Sequence, residues 1–273
     1  MFRPIRAALI AGVAALAAPL SHSELMIAPT RVVLENSDRS AELVLVNKGT
    51  EQGAYRISLE NRRMRLNGSL EAADEAREGE LFADGLVRFS PRRAMLEPGG
   101  RQTLRVSART RGLEPGEYRS HLRVRGAPTR AGRTLTEAAS SAGDDISIEL
   151  IAVRSLTIPV IVRVGELEAD VEIETAATAP GDEAGETLFV ARLTRTGERS
   201  TYGDIQIFVE GRSEPVYYAR GIAVYTPNTE RDVVLPMPTE LAESLKGETV
   251  RIAYVSSDPA RPGKIAEITT TVN

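Results

Sequence analysis

Cysteine is absent from the 273 residues of this chain, and histidine occurs only at His22 and His121. Without cysteine no disulfide can form, so packing and hydrogen bonding alone must hold the fold together. His22 lies in a segment that we expect to be cleaved, which leaves His121 as the only histidine. Zinc clusters of cysteine and histidine, and sites with several histidines, are therefore excluded, and we expect no metal or cofactor.

Aromatic residues are scarce, because tryptophan is absent and aromatics make up only 4% of the chain. Proteins that bind single-stranded nucleic acids stack the bases on aromatic side chains. The run Arg62-Arg63-Met64-Arg65 and the arginines of residues 119–125 form a basic surface without such stacking partners. We expect no nucleic-acid partner. A basic face directed at carboxylates is the alternative, because the guanidinium group matches carboxylates in geometry.

Only the N-terminus has a long apolar run. Arg3 and Arg6 precede the apolar stretch 7–20, and the small residues Ser21 and Ser23 follow it. This order is typical of a secretion signal, with cleavage before Glu24. The alternative is a buried N-terminal helix, since the run is too short to span a bilayer. We expect residues 1–23 to be a signal peptide.

Catalytic motifs are missing as well. A Ser-His-Asp arrangement would have to use His121, which lies in an alternating strand where we expect an exposed or half-exposed side chain. The Gly-x-Ser-x-Gly elbow, the phosphate loop and the dinucleotide fingerprint do not occur. The acidic pairs Asp144-Asp145 and Asp182-Glu183 lack calcium-loop spacing. We expect no enzymatic activity, and an enzyme centred on His121 remains an alternative hypothesis.

Charge is distributed unevenly along the chain. Residues 166–273 contain ten Lys and Arg against nineteen Asp and Glu, a net charge of −9. Residues 24–165 contain 22 against 19, a net charge of +3. The difference either serves solubility or indicates that the two halves face different partners.

Apolar and polar residues alternate in short segments between turn sequences, which is typical of an all-β sandwich. Strands are predicted at 32–34, 43–46, 54–59, 86–89, 104–106 and 118–125, and again at 169–174, 188–193, 205–209, 217–219, 222–225, 232–235, 250–254 and 265–271. Residues 239–246 suit one or two helical turns. We predict two β-sandwich domains, at 24–164 and 165–273, with a long polar loop at 128–145.

The segment 146–150 (ISIEL) follows that loop with strict alternation. In a strand it places Ile146, Ile148 and Leu150 on one face. An inner strand would pack this face into its own core, whereas an edge strand would offer it to another protein. The choice between these two uses separates a binding protein from a structural one.

Several segments resemble the PapD-like periplasmic chaperones of pilus assembly, in a divergent branch of that family. The similarity covers most of residues 25–165, and in the second half it is mainly one of size and strand pattern. The matching segments are 28–34 (APTRVVL), 43–47 (LVLVN), 89–106 (FSPRRAMLEPGGRQTLRV), 158–163 (IPVIVR) and 219–225 (ARGIAVY). The segment 89–106 is the most specific, with its two prolines and the Gln102-x-x-Arg105 spacing.

The resemblance implies two immunoglobulin-like sandwiches arranged as an L or boomerang, without enzymatic activity. It also implies a periplasmic chaperone that binds pilin or fimbrial subunits and delivers them to an outer-membrane usher. Ile146, Ile148 and Leu150 would complete the subunit's fold by β-strand addition. Self-association through this donor strand would hide it in the free protein.

The family anchors the subunit's terminal carboxylate with two basic residues in the cleft between its domains. Arg31 matches the first by its Pro-Thr-Arg setting. The second is normally a lysine on the donor strand, but no lysine occurs between Ile146 and Val164. Arg154 is the nearest substitute and Arg163 is the alternative.

The chain also departs from the family before its sixth strand. The usual acidic-Arg-Glu-Ser segment reads Glu117-Tyr118-Arg119-Ser120 here, which leaves the customary polar network between the domains without its expected residues. The competing hypothesis is a secreted structural or adhesive protein with two sandwiches. In that case Ile146 to Leu150 would stay in the protein's own core.

Overall fold

The computed structural model describes residues 25–35, 38–127, 155–183 and 185–272. The signal-peptide prediction at 1–23, the predicted donor residues and Arg154 lie outside these ranges. In chain order the strands are β1 (Leu25–Ala28), β2 (Val32–Leu34), β3 (Ser40–Asn47), β4 (Gly53–Glu60), β5 (Arg62–Met64), β6 (Leu70–Ala72), β7 (Val87–Ser90), β8 (Arg93–Leu96), β9 (Arg101–Ala108), β10 (Gly116–Ala127), β11 (Ser155–Val164), β12 (Ala169–Pro180), β13 (Thr187–Gly197), β14 (Thr201–Val209), β15 (Tyr217–Val224), β16 (Glu230–Met237), β17 (Thr249–Ser256) and β18 (Lys264–Thr271). One helix, α1 (Thr239–Leu245), precedes β17, where the sequence predicted it.

Two sheets form the first sandwich. Their strand orders are β1-β3-β9-β7 and β2-β11-β10-β4-β8, and a separate hairpin joins β5 to β6. Alternating residues of the strands fill the space between the sheets, for example Ile57 of β4, Leu122 of β10 and Val160 of β11. This inward-facing alternation is what a sandwich core requires.

The second sandwich has sheets ordered β12-β13-β16 and β15-β14-β17-β18. Its core draws on alternating residues such as Leu193 of β13 and Ile205 of β14. The first core uses residues within 27–162 and the second within 171–272. Gly165 lies between them with a φ of 83°, a conformation that favours glycine. The prediction of an all-β fold with two sandwiches is confirmed.

A third, smaller core lies where the two sandwiches meet. Met64 and Ile161 of the first sandwich pack there with Ala223 and Tyr225 of the second. The loop of the β5–β6 hairpin adds backbone contacts, since the amide of Asp232 donates to the carbonyl of Leu66 at 2.7 Å. The sandwiches therefore share both apolar packing and hydrogen bonds.

The outer face of β10 differs from the prediction. We expected an exposed basic face, but Arg119 is only 6% exposed and His121 is fully buried. The second sandwich covers this face, with Tyr225 packed against both side chains. Farther along the strand, Arg123 is half-exposed and Arg125 is exposed, as expected. Period-two alternation shows which face a residue lies on, but it does not show what packs against that face.

Candidate functional site

Strand β11 is only partly enclosed in its sheet. On one side it pairs with β10 along its whole length, from Ser155 opposite Arg125 to Val164 opposite Gly116. On the other side β2 pairs with Val160 to Val162 alone, in parallel. Among the described residues, 155–159 therefore have no strand partner on that side, and we call these residues the open edge of β11. The predicted donor residues Ile146, Ile148 and Leu150 precede this edge in the sequence.

Arg31 lies just before β2, in a cleft between the two sandwiches. Its guanidinium carbon is 4.7 Å from the centroid of the Tyr202 ring, which belongs to β14 of the second sandwich. Nε and Nη1 of Arg31 are buried and have no hydrogen-bond partner in the described parts of the chain. Arg31, Arg199, Tyr202, Asp258, Arg261 and Lys264 are among the residues that line this cleft of about 220 Å³.

Arg163, the alternative anchor, lies nearby at the end of β11, but its surroundings are different. Its Nε donates to Glu117 Oε2 at 2.9 Å, and its Nη1 donates to Glu35 Oε2 at 3.0 Å. Its Nη2 donates to the carbonyl of Ser200 at 3.3 Å, and Asp258 lies 3.6 Å from Nη1. Only 2% of the Arg163 side chain is exposed. Each of its side-chain nitrogens therefore has an acceptor within the protein.

These contacts join the two sandwiches through what we call the Arg163 cluster, made of Arg163, Glu35, Glu117, Asp258 and Arg261. Arg261 of the second sandwich donates to Glu35 Oε1 at 2.9 Å. Glu117 accepts the Ser200 amide at 3.0 Å and also the Ser200 hydroxyl. A polar network between the sandwiches thus exists, and Glu117, whose sequence context departs from the family, is at its centre.

Two carboxylates of the cluster, Glu35 and Asp258, are held in their charged form. Burial raises the pKa of Glu35, but the hydrogen bonds and charges of Arg261 and Arg163 lower it below its ordinary value. Burial likewise raises the pKa of Asp258, and the Ala260 amide together with the charges of Arg163, Arg261 and Arg31 brings it below normal. Both groups therefore remain ionised at neutral pH.

His121 and Arg119 form a second polar group at the boundary. The His121 ring meets Tyr225 edge-on at 6.3 Å, and neither ring nitrogen has a hydrogen-bond partner within the described chain. The Arg119 guanidinium carbon is 4.3 Å from the centroid of the Tyr225 ring. Burial, followed by the charges of Arg119 and Arg62, lowers the pKa of His121 to about 3. Such an enclosed histidine lacks the hydrogen-bonded partner that a catalytic base uses.

Sequence reasoning identified Arg31 and Arg163 but missed Arg199, Tyr202 and Ser200. Only the fold brings these three, in and after the turn between β13 and β14, against Arg31 and Glu117. No local motif marked that turn. Within the described residues, no cluster of three or more His, Cys, Asp or Glu side chains offers a metal site. No helix in the same ranges is long and apolar enough to cross a membrane.

No protein-family profile matches the chain, and no curated protein sequence matches it. Solved structures do match. A chain of the Acinetobacter baumannii CsuC–CsuE chaperone–tip subunit pre-assembly complex is 10% identical, with a TM-score of 0.49, over 92% of this chain and 100% of that one. The E. coli chaperone DraB is 14% identical, with a TM-score of 0.46, over 92% and 97%. The Pseudomonas aeruginosa CupB2 chaperone is 13% identical, with a TM-score of 0.46, over 91% and 100%.

Proposed function

We propose that this protein is a PapD-like periplasmic chaperone that binds pilus or fimbrial subunits and has no enzymatic activity. The cleft carries the proposal, because two buried nitrogens of Arg31 have no acceptor there among the described residues. Leaving a buried charged donor unsatisfied costs free energy. The terminal carboxylate of a bound subunit would supply the missing acceptor through a charge-assisted hydrogen bond.

The open edge of β11 supports the same function. Backbone groups at an unpaired sheet edge can hydrogen-bond an added strand, and alternate side chains then fill pockets in the partner. We infer that Ile146, Ile148 and Leu150 are these donated side chains. The subunit would then pass to an outer-membrane usher. In the free chaperone the same edge would support self-association, since unpaired edges attract further strands.

Donation of this strand can be tested by co-expressing the protein with neighbouring genes that encode secreted proteins. Bound subunits are then recovered by pull-down from periplasmic extract. We expect Ile148→Asp to abolish most subunit recovery, because an unpaired charge in an apolar groove costs several kcal/mol. Ser147→Asp is the matched control, since it places the same charge on the opposite face of the strand and should retain recovery.

Two outcomes would contradict the proposal. Equal recovery by Ile148→Asp and wild type would exclude donation of this strand. A secreted structural or adhesive protein would instead keep Ile148 in its own core. In that case the wild type would capture no subunit, and Ile148→Asp would lower the unfolding temperature of the chain itself.

A further inference from the structure

The outer face of the sheet that contains β4, β8 and β10 has a row of arginines. Arg56 of β4 is directly opposite Arg93 of β8 on one side and Arg125 of β10 on the other. Directly opposite side chains lie on the same face of a sheet. All three arginines are exposed, whereas the neighbouring residues Ile57 and Val124 are buried in the first core. We call Arg56, Arg93 and Arg125 the arginine row.

The arginine row has no counter-charge in the described parts of the chain. None of its three side chains forms an ion pair there. Arg56 and Arg93 also line a cleft of about 420 Å³ with Arg88 and Arg92, and Asp84 is the one acidic residue in that lining. Like charges directly opposite each other on neighbouring strands lower the stability of a sheet. A negatively charged partner would offset this cost.

The second sandwich has the opposite charge on one of its edge strands. Asp170, Glu172 and Glu174 occupy alternate positions of β12, and all three are exposed. Val171 and Ile173 between them are buried, so the carboxylates point away from the core. Among the described residues none of the three forms an ion pair, and the residues opposite Asp170 and Glu172 on β13 are threonines. We call these three residues the acidic strip.

The two surfaces match in length but do not meet within one copy. No ion pair joins them in the ranges that the structure describes, and both are exposed. Three neighbouring strands place the arginine row over about 10 Å, and three alternate positions place the acidic strip over about 13 Å. A β12 strand of another copy that crosses the row would therefore bring one carboxylate near each guanidinium group.

We propose that the arginine row of one copy binds the acidic strip of a second copy. Charge complementarity favours this partner, since residues 24–165 have a net charge of +3 and residues 166–273 a net charge of −9. The guanidinium group also matches the carboxylate in geometry. The contact joins the first sandwich of one copy to the second sandwich of the next, so it is a heterologous interface. It involves neither Arg31 nor the backbone of the open edge, and it does not depend on the proposed function.

Sedimentation velocity of the full mature protein tests the contact through its dependence on salt. The Debye length falls from about 30 Å at 0.01 M salt to about 3 Å at 1 M. We expect the mass to rise with protein concentration at the lower salt and to remain that of one copy at the higher. Arg56→Glu combined with Arg125→Glu should raise the Kd of self-association at least about tenfold. Glu172→Arg combined with Glu174→Arg should do the same.

Mixing these two double variants gives the sharpest result. Each should fail to associate alone, because like charges then face each other. Together they should form a complex, because the intact arginine row of one variant can bind the intact acidic strip of the other. The matched control is Arg101→Glu with Arg105→Glu, which makes the same change in net charge on β9 of the opposite sheet, where both arginines are exposed. This control should associate like wild type.

Several outcomes would overturn the inference: a wild type that stays a single copy at low salt, a control that loses as much as the arginine-row variant, or a mixture that does not associate. Association that only Ile148→Asp abolishes would assign it to the donor strand. Binding of a single-copy protein to phosphatidylglycerol vesicles through the arginine row would assign the row to lipid. Unfolding temperatures identify variants that lose their fold, and the salt dependence of wild type tests the contact without them. Subunit capture should be retained by both double variants, so a wild type without capture contradicts only the proposed function.

Discussion

Arg31 and Arg163 are two arginines near the boundary between the sandwiches, and their surroundings are opposite. Arg163 is almost fully buried and has protein acceptors for all three side-chain nitrogens, including two carboxylates in direct hydrogen bonds. Arg31 borders a cleft and stacks on Tyr202, and two of its buried nitrogens have no hydrogen-bond partner in the part of the chain that the structure describes. The described chain therefore supplies acceptors for all the side-chain nitrogens of Arg163, but not for those of Arg31.

The contrast distinguishes the structural role of Arg163 from the binding role that we propose for Arg31. A saturated ion cluster contributes to the protein's own stability, and removing one partner leaves the others buried without compensation. A buried cation without hydrogen-bond acceptors lowers the stability of the protein until a ligand supplies an acceptor. Both arginines are candidates by sequence, and only their acceptors distinguish them.

The largest effect is expected at Arg163. Arg163→Met should lower the free energy of unfolding by about 3–5 kcal/mol, because the buried Glu117 carboxylate loses its counter-charge. Urea unfolding followed by circular dichroism measures the change. Arg192→Met is the matched control, since the Arg192–Asp232 pair is 40% and 33% exposed, and it should cost about 1 kcal/mol or less. An equal decrease in the free energy of unfolding in both variants would show that the buried Arg163 cluster stabilises the protein no more than the exposed pair does.

His121 tests whether missing partners alone mark a binding residue. Neither of its ring nitrogens has a hydrogen-bond partner among the described residues, yet His121 does not line the cleft that contains Arg31. Its pKa is about 3 in the folded chain, against about 6.5 when unfolded. Below pH 6.5 only the unfolded chain takes up the proton, so stability is full above pH 6.5 and decreases as the pH falls toward 3. The expected loss between pH 7 and pH 5 is about 2 kcal/mol.

Urea unfolding at several pH values measures this dependence, and His121→Phe should make it nearly flat between pH 7 and pH 5. His121 is the only histidine after residue 23, so it dominates the slope in this range, whereas carboxylates with a lowered pKa, such as Glu35 and Asp258, contribute mainly below about pH 5. A variant with the wild-type slope would show that His121 titrates normally. Subunit capture should be retained by the folded variant at pH 7, because His121 closes an interface rather than binding a ligand.

The smallest effect on stability is expected at Arg31. Within the described residues Arg31→Gln removes no ion pair, and the lost contact with the Tyr202 ring is offset by removal of a cation whose buried nitrogens have no acceptor there. The free energy of unfolding should therefore change by about 1 kcal/mol or less. Subunit recovery should nevertheless fall at least about tenfold. A loss of stability as large as that of Arg163→Met would show that Arg31 is structural after all.

Much of the fold follows from local sequence. The apolar run 43–46 before a turn sequence, and alternation over 54–59 and 118–125, marked strands that the structure contains as parts of β3, β4 and β10. The predicted helix at 239–246 appears as α1, one residue shorter. These predictions succeeded because the period of apolar residues depends on the backbone geometry of a single element.

The site was less accessible to prediction. Arg31 was found through a segment similar to a known family, but no local signal pointed to Arg199 or Ser200. The exposure expected for His121 was wrong, because the side chain that covers it is Tyr225, more than a hundred residues later. Burial and ion pairing depend on residues that are distant in the chain. The alternation of residues within one strand carries no information about them.

The sequence by itself determined most of the strands, the two cores and one anchor candidate, since these depend on alternation and on short segments. The short strands β1, β5, β6 and β8 were not predicted from it. Only the tertiary structure decided which of the two arginines has carboxylate partners within the described chain. Glu35, Glu117 and Asp258 come from three separate parts of the chain and converge on Arg163, while Arg31 receives an aromatic ring instead of a carboxylate. A cation's role depends on the acceptors within hydrogen-bond distance, and folding sets those distances.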